Sequence, residues 1–276
     1  MDRYFRPRSL AEALDILAEH SPRPLAGGTD LYPALTGAQA WGPRPVTNWM
    51  DISGLEALRG ITPDDAGWRI GALVTWSEIA VATLPPAFRA LQQAARQVGG
   101  RQVQNRGTLL GNLCNASPAA DGVPPLLLLD AHVELASAAG TRRLALGDFL
   151  LGNRHTARLD SELAVAIHIP SPPATESRFE KLGTRRQMVI SIVMAAGLLR
   201  LEGGMVAEAR LAVGSCSAVA RRLGGLEAAL LGQPLAALPD IIAAAPLGLT
   251  PIDDIRATAE YRQLAARQLV ARSLGL

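Results

Sequence analysis

The sequence predicts a protein of mixed helices and strands with two or three small domains, and three features of the chain lead to this prediction. Stretches whose apolar residues recur with helical spacing alternate with stretches that read as strands. A Pro- and Ser-rich piece, IPSPPATESR at residues 169–178, marks a change in composition and is the best candidate for a domain boundary. The chain has 276 residues, 49% of them hydrophobic, which is enough for a large buried core.

The first half of the chain contains both kinds of element. A helix is predicted for SLAEALDILAEH, which has a Ser-x-x-Glu capping signature at Ser9 and Glu12 and four apolar residues on one face. The same signature recurs at Thr75 and Glu78, ahead of a short helix. Another helix is predicted for PPAFRALQQAARQVGG, with prolines before it and glycines after it. The strand-like stretches are RPVTNWMDIS, WRIGALVT, AHVELAS and ELAVAIHIP.

Beyond the Pro- and Ser-rich piece, the pattern predicts a strand pair followed by helices. The stretch MVISIVMAAGLLRLEGGMVAEARLAVGS reads as two strands around a turn at Gly203–Gly204. Two later stretches, AVARRLGGLEAALLGQP and TAEYRQLAARQLVARSL, are predicted to be helical.

Composition and charge argue against several classes of function. The formal net charge is +2 at pH 7, so nothing suggests a nucleic-acid-binding surface. Cys114 and Cys216 are far apart and the four histidines share no ligand spacing, so no disulfide framework, iron–sulfur cluster or metal site is expected. Both cysteines are interpreted as small buried residues. The first residues lack the apolar core of a signal peptide and residues 126–129 are too few to span a bilayer, so a cytoplasmic protein is expected.

A glycine-rich stretch, PLAGGTDLYPAL at residues 24–35, is the first candidate site. Phosphate-binding loops need residues without a Cβ atom, so that backbone N–H groups can approach the anion closely. Gly27 and Gly28 meet this need, and Thr29 and Asp30 add a hydroxyl and a carboxylate. The stretch matches neither a Walker loop nor a Rossmann fingerprint. Taken alone, it is more often a plain turn than a ligand loop.

A second stretch, QVQNRGTLLGNLCNASPAADGVPPLLLLD at residues 102–130, is also rich in small and amide residues. It shows no helical or strand period, and we expect it to be a loop that buries little apolar surface itself. It could be an Asn-rich loop whose side chains bond to their own backbone, or it could be the second wall of a nucleotide site. Composition alone supports these two interpretations equally.

Four segments together resemble one known family, the flavin-binding medium subunits of molybdenum hydroxylases. PLAGGTDL is similar to the first FAD loop of that family, and QVQNRGTLLGNLCNASPAAD is similar to its second. RFEKLGTRRQMVISIV and IRATAEYRQLAARQLVARSL resemble segments of its C-terminal domain. The four segments occur in the family's order and extend over nearly the whole chain, which is far more specific than any one of them.

The resemblance implies that FAD is the cofactor. The first loop would wrap the pyrophosphate with backbone amides, Thr108 would offer its hydroxyl to the phosphates or the ribityl chain, and Asp121 would accept a hydrogen bond from a sugar hydroxyl. Leu163 and Lys181 would lie near the flavin ring. No catalytic residue and no metal ligand is assigned. The implied cofactor-binding residues are Leu25, Ala26, Gly27, Gly28, Thr29, Asp30, Leu31, Tyr32, Thr108, Gly111, Asn112, Asn115, Ser117, Asp121, Leu163 and Lys181.

One position departs from the family's pattern. The usual Gly-Gly-Asn of the second loop reads Leu110-Gly111-Asn112 in this chain. If position 110 contributes only its N–H group, a leucine fits there. If it needs a positive φ or the closest approach to the cofactor, the loop must shift.

The resemblance also implies an architecture. It is an α+β fold with a two-part FAD-binding domain of the PCMH type, in which a small N-terminal α/β subdomain precedes a larger α+β subdomain. A C-terminal domain with an antiparallel sheet and helices follows. The predicted bounds are 1–57, 58–174 and 175–276, the last being a carbon monoxide dehydrogenase flavoprotein-like domain.

The implied function is that of an FAD-binding electron-transfer subunit in a heterotrimeric molybdenum hydroxylase. The expected partners are a large molybdenum-cofactor subunit and a small iron–sulfur subunit, and a dimer of such heterotrimers is one arrangement that the resemblance allows. Electrons would pass from the iron–sulfur clusters through FAD to an external acceptor. Two alternatives stay open: a stand-alone FAD-dependent oxidoreductase of the same superfamily, and a non-catalytic assembly subunit that has lost its flavin.

Overall fold

The computed structural model describes residues 3–35 and 47–276, and it confirms the predicted mixture of helices and strands. None of the described helices combines the length and the apolar character that crossing a bilayer requires. In chain order, the helices are α1 (Leu10–His20), α2 (Leu31–Leu35), α3 (Trp76–Val81), α4 (Arg89–Gln97), α5 (Arg101–Gln104), α6 (Leu109–Asn115), α7 (Val123–Leu128), α8 (Leu146–Phe149), α9 (Gly224–Leu230), α10 (Leu238–Ala244) and α11 (Ala259–Ser273). The strands are β1 (Tyr4–Phe5), β2 (Arg23–Leu25), β3 (Trp49–Asp51), β4 (Ile61–Asp64), β5 (Gly67–Gly71), β6 (His132–Ser137), β7 (Gly140–Ala145), β8 (Leu150–Gly152), β9 (His155–Thr156), β10 (Leu163–Pro170), β11 (Ser177–Leu182), β12 (Val193–Glu202), β13 (Met205–Gly214) and β14 (Arg221–Arg222).

A small parallel sheet and helix α1 form the beginning of the described chain. β3 pairs with β1 on one side and with β2 on the other, in parallel both times. Helix α1 begins as predicted, because the Ser9 hydroxyl accepts a hydrogen bond from the Glu12 N–H group at 3.1 Å. The reciprocal half of the capping box is missing, since the Glu12 carboxylate accepts from the Arg8 N–H group. Of the strand predicted over RPVTNWMDIS, Trp49–Asp51 is a strand, while residues 44–46 lie outside the described residues.

A larger antiparallel sheet follows, with its strands in the order β4-β5-β10-β6-β7. Helix α3 begins with the complete capping box that the sequence predicts, in which Thr75 and Glu78 each accept from the other's N–H group. The strand predicted over WRIGALVT ends early, at Gly71. At that point the chain passes close to the Leu58 carbonyl oxygen, which lies 2.3 Å from where a Cβ atom of Gly71 would be and accepts from the Leu73 N–H group at 2.8 Å.

The expectation that residues 102–130 form a loop is wrong, because this segment contains helices α5, α6 and α7. Helix α6 buries Leu109, Leu110 and Leu113 in the larger hydrophobic core. A helix of seven residues offers too few apolar positions for a helical period to be visible in the sequence. Helix α7 carries Pro124 and Pro125 in its first turn, where the missing N–H groups would have no partner in the helix anyway.

The C-terminal sheet is antiparallel, in the order β11-β12-β13-β14, and both of its faces are buried. Successive side chains of a strand point to opposite faces. Accordingly, Met194 and Ala196 of β12 belong to the larger core, together with α4, α6 and α7, whereas Val193 and Ala195 belong to a second core under α9, α10 and α11. This sheet therefore joins the C-terminal part of the chain to the part that contains the candidate site.

The turns and helices of the C-terminal part agree with the sequence in most places. β12 and β13 meet at the predicted turn, where Gly203 and Gly204 have φ values of 58° and 82°. The helix predicted over TAEYRQLAARQLVARSL is α11. The helix predicted over AVARRLGGLEAALLGQP is formed only over Gly224–Leu230, because Arg221–Arg222 pairs with β13 as the edge strand of the sheet.

Candidate functional site

A single cavity brings the two predicted loops together. It has a volume of about 770 Å³, which is in the range of cofactor and ligand pockets. Its walls come from the β2–α2 loop, from residues 98–121, from the β9–β10 region and from residues 188–190 of the C-terminal part. Thirteen of the sixteen predicted residues line it: Ala26, Gly27, Gly28, Thr29, Asp30, Leu31, Thr108, Gly111, Asn112, Asn115, Ser117, Asp121 and Leu163.

Three predicted residues are not among those that line the cavity. Leu25 is buried, and its carbonyl oxygen accepts from the Ile52 N–H group at 3.0 Å. The Tyr32 side chain is 58% exposed and its ring packs under Gly28. Lys181 is buried beside Asp121. These positions support the walls instead of facing the cavity.

The first wall is made by backbone, and its two glycines are required by geometry. A Cβ atom on Gly27 would lie 1.8 Å from the Arg106 carbonyl oxygen, so the two loops could not approach as they do. Gly28 has a φ of 73°, in the left-handed region that favours glycine, and a Cβ atom there would lie 2.4 Å from the Tyr32 ring. A close-packed backbone without side chains is what a phosphate cradle needs.

The second wall begins at helix α6. The Thr108 hydroxyl accepts from the Gly111 N–H group at 3.1 Å and caps the helix, while its own proton can still be donated into the cavity. A Cβ atom on Gly111 would lie 2.7 Å from that hydroxyl oxygen, which explains the glycine. The structure accommodates Leu110 at the position where the usual pattern of the second loop has glycine. Leu110 is not among the described residues with positive φ, and its side chain is 2% exposed, packed in the larger core at the cavity wall.

Asn112 presents a polar atom that the protein leaves unsatisfied. Its side-chain oxygen is buried and has no hydrogen-bond partner among the described residues. An unpaired buried acceptor costs about 1–3 kcal/mol, and Asn112 lines the cavity. A ligand with hydroxyl or N–H donors, such as FAD, would supply the missing partner once the amide turns toward the cavity, since this oxygen has almost no exposed surface in the orientation seen here. Nearby, Ser117 accepts from the Ala119 N–H group and shapes the turn after α6.

A buried ion pair joins the second wall to the C-terminal sheet. The Lys181 ammonium group lies 2.6 Å from one oxygen of Asp121, and the Ser191 hydroxyl donates to the other oxygen at 2.6 Å. The Lys181 group also donates to the Gln97 carbonyl at 3.4 Å. Burial raises the pKa of the Asp121 carboxyl, and the charge and hydrogen bonds of Lys181 and Ser191 oppose that rise. We call this set the buried link.

A second set of polar side chains lines the cavity where it is open to solvent, which we call its mouth. Asn115 donates to an Asp30 oxygen at 2.9 Å, and Arg154 donates to the Asn115 oxygen. We call Asp30, Asn115 and Arg154 the exposed link. Sequence reasoning did not identify Arg154 or its neighbour Arg158, which also lines the cavity. Their only signal was a pair of arginines four residues apart in GNRHTAR, after a Gly-Asn turn.

The charge of the described lining favours an anion. Arg23, Arg154 and Arg158 line the cavity, and the carboxylates there are Asp30 and Asp121, each of which already accepts hydrogen bonds.

Cys114 also lines the cavity and is exposed, so the interpretation of it as a buried residue is wrong. Among residues 3–35 and 47–276, no three His, Cys, Asp or Glu side chains are grouped as a metal ion would need.

Comparison with known families defines the class of this chain, a flavin-binding protein. Residues 1–172 match the model described as the FAD binding domain in molybdopterin dehydrogenase, and residues 178–275 match the CO dehydrogenase flavoprotein C-terminal domain. The chain belongs to this family of FAD-binding chains of molybdopterin dehydrogenases, and FAD is its cofactor.

Individual relatives agree with this assignment over 80% or more of their length. The chain is 32% identical to a xanthine dehydrogenase FAD-binding subunit of Escherichia coli O157:H7, over 94% of this chain and 90% of that protein. It is 33% identical to the nicotinate dehydrogenase FAD-subunit of Eubacterium barkeri, over 84% and 80%. Among solved structures, a chain of the reconstituted CO dehydrogenase from Oligotropha carboxidovorans superposes with a TM-score of 0.91 at 27% identity, over 99% and 96%.

Proposed function

We propose that this chain is the FAD-binding electron-transfer subunit of a molybdenum hydroxylase with a large and a small partner subunit. The observation that carries the proposal is the cavity, in which a glycine backbone and a capped helix start face each other. Its described lining is rich in arginine and contains an unpaired acceptor at Asn112. The family assignment over both parts of the chain supports the same conclusion.

Within the cavity, we assign roles according to the chemistry that each wall offers. The backbone of Ala26–Thr29 and the Thr108 hydroxyl would bind the diphosphate, and Asn112 would accept from a hydroxyl or N–H group of the cofactor. Leu163 and the residues 188–190 would exclude water beside the ring. When bound, FAD would supply the redox chemistry, taking up electrons from a partner and passing them to an external acceptor.

The buried link bears on two of the proposed roles. Asp121 is interpreted as an acceptor for a sugar hydroxyl, and both of its oxygens already accept hydrogen bonds from Lys181 and Ser191. Each carboxylate oxygen has a second lone pair, so a further hydrogen bond from the cofactor is compatible with this arrangement. Lys181 would act through Asp121, since Asp121 lines the cavity and Lys181 lies behind it.

We further propose that the chain is divided at residues 57 and 174, into the parts 1–57, 58–174 and 175–276. The parallel sheet lies in the first part, the antiparallel sheet β4-β5-β10-β6-β7 and the short β8-β9 pair lie in the second, and the C-terminal sheet lies in the third. A dimer of heterotrimers is the assembly that we propose for the complete complex.

Two measurements on the tagged chain from its native host test the function. Acid precipitation should release FAD into the supernatant, because no covalent attachment residue was identified. The intact complex should contain one large and one small partner, and xanthine, nicotinate and carbon monoxide can be tried as reductants of its flavin. A colourless chain that takes up no added FAD would contradict flavin binding. A lone monomer whose flavin is reduced directly by an organic substrate would favour the stand-alone flavoenzyme.

A further inference from the structure

The exposed link connects three segments that are far apart in the sequence. Asp30 belongs to the first loop, Asn115 ends helix α6, and Arg154 lies in the turn between β8 and β9. All three line the cavity. The orientation of the Asn115 amide follows from its two partners, because its NH₂ group faces a carboxylate and its oxygen faces a guanidinium group.

Arg154 is held by its backbone as well as by its side chain. Its φ of 60° lies in the left-handed region, which residues other than glycine adopt uncommonly. Its N–H group donates to the Ala116 carbonyl at 2.9 Å. The residue therefore contacts the end of helix α6 twice, once through its backbone and once through Asn115. This double contact fixes the guanidinium group at the cavity mouth.

We propose that Arg154 is a positioning residue for FAD, which holds the first loop closed over the cofactor through Asn115 and Asp30. The inference rests on the proposed function of the cavity as the FAD site. The Asp30 carboxylate on its own would repel a diphosphate, and the Arg154 guanidinium group, joined to it through the neutral Asn115 amide, counters that charge. Because the link ties the first loop to helix α6 and to the β8–β9 turn, breaking it would let the loop move away from bound FAD, so the link should act on the dissociation rate.

Exchanging the side chains of Asp30 and Asn115 gives a specific test. Asn115→Asp places two carboxylates against each other and breaks the contact with Asp30. Adding Asp30→Asn restores the hydrogen bond with its polarity reversed, keeps the net charge of the native pair and leaves a carboxylate for Arg154. A purely structural role of these residues would not produce such a rescue.

The experiment measures the release of FAD from the full-length chain by the recovery of flavin fluorescence after dilution. We expect Asn115→Asp and Arg154→Gln each to speed release about tenfold, and the Asp30→Asn/Asn115→Asp double variant to return to within about threefold of wild type. Arg221→Gln, at an exposed arginine with no recorded ion pair among the described residues, should release FAD at the wild-type rate. Circular dichroism of each variant checks folding, and Arg154→Gln decides the question if Asn115→Asp does not fold.

Unchanged release in Arg154→Gln and Asn115→Asp, with FAD bound normally, would overturn this inference alone. A double variant that releases FAD as fast as Asn115→Asp would also overturn it. A wild-type chain that binds no FAD would overturn the proposed function first. These results are therefore distinguishable.

Discussion

The two links at the cavity use the same kinds of groups in opposite surroundings. In the buried link, the side chains of Lys181 and Asp121 are 6% and 8% exposed, and the carboxylate oxygens are satisfied by Lys181 and Ser191. In the exposed link, Asp30 and Arg154 are both open to solvent and are joined through a neutral amide. Both links tie a wall of the cavity to a distant segment.

The surroundings decide what each link can do. Charges taken out of water are costly unless they are paired, so breaking the buried link leaves an uncompensated charge inside the protein. Charges at the surface are screened by water and salt, so an exposed pair contributes little to folding. We therefore expect the buried link to hold the C-terminal sheet on the second wall, and the exposed link to control the opening of the cavity.

The largest effect is expected from Lys181→Met. The variant keeps much of the apolar stem of the side chain but leaves Asp121 buried without its counter-ion. The free energy of unfolding should fall by about 3–5 kcal/mol, measured by urea denaturation. Arg59→Met is the control, because Arg59 pairs with Glu56 at the surface and its loss should change stability far less. Equal losses in the two variants would contradict the distinction between the links.

A second substitution tests the wall to which the exposed link is attached. Gly27→Ala places a Cβ atom 1.8 Å from the Arg106 carbonyl oxygen, so the first loop must move away from residues 106–107. We expect FAD affinity to fall about tenfold or more, as for other overpacked sites, in a fluorescence titration. Gly54→Ala is the matched control, since a Cβ atom there meets nothing within 4 Å among the described residues. Equal affinity in both variants would mean that the loop is not part of the site.

The hydroxyl of the buried link gives a smaller effect. Ser191→Ala removes the hydrogen bond to Asp121 and leaves the ion pair intact. The free energy of unfolding should fall by about 1.5–3 kcal/mol, the range for hydrogen bonds to charged groups. The control is Ser137→Ala, whose hydroxyl bonds only within an exposed turn. If Ser191→Ala lowered the free energy of unfolding no more than this control does, the Ser191 hydroxyl would not be needed as a hydrogen-bond donor to Asp121.

The smallest effect on folding is expected for the exposed link itself. Asp30→Asn keeps an acceptor for Asn115 and removes one exposed charge. Its free energy of unfolding should stay within about 0.5 kcal/mol of wild type, in the same urea experiment. A large loss would show that the exposed link is needed for the fold and would remove the difference between the two links.

Much of the architecture could be predicted from the sequence because its signals are local. The strands around Gly203–Gly204 and the caps at Ser9 and Thr75 depend on residues a few positions apart. The glycine loop was recognisable for the same reason, since the absence of a Cβ atom at Gly27 and Gly28 is visible in the sequence itself.

The two links could not be predicted, because their members meet only after folding. Lys181 and Asp121 are 60 residues apart, and Arg154 and Asn115 are 39 apart. The resemblance assigned Asp30, Asn115 and Lys181 to the cofactor one by one, and it gave no sign that they bond to other side chains. The short helix α6 was missed because three leucines in seven residues do not establish a period.

The most direct test of the central claim is a crystal structure of the chain with FAD. The account predicts the diphosphate between Ala26–Thr29 and the first turn of α6, a hydrogen bond from the cofactor to the Asn112 oxygen, and the exposed link closed across the mouth. FAD bound on another face of the protein would contradict it. So would FAD in the cavity with the Asn112 oxygen still unpaired and the first loop turned away from Asn115.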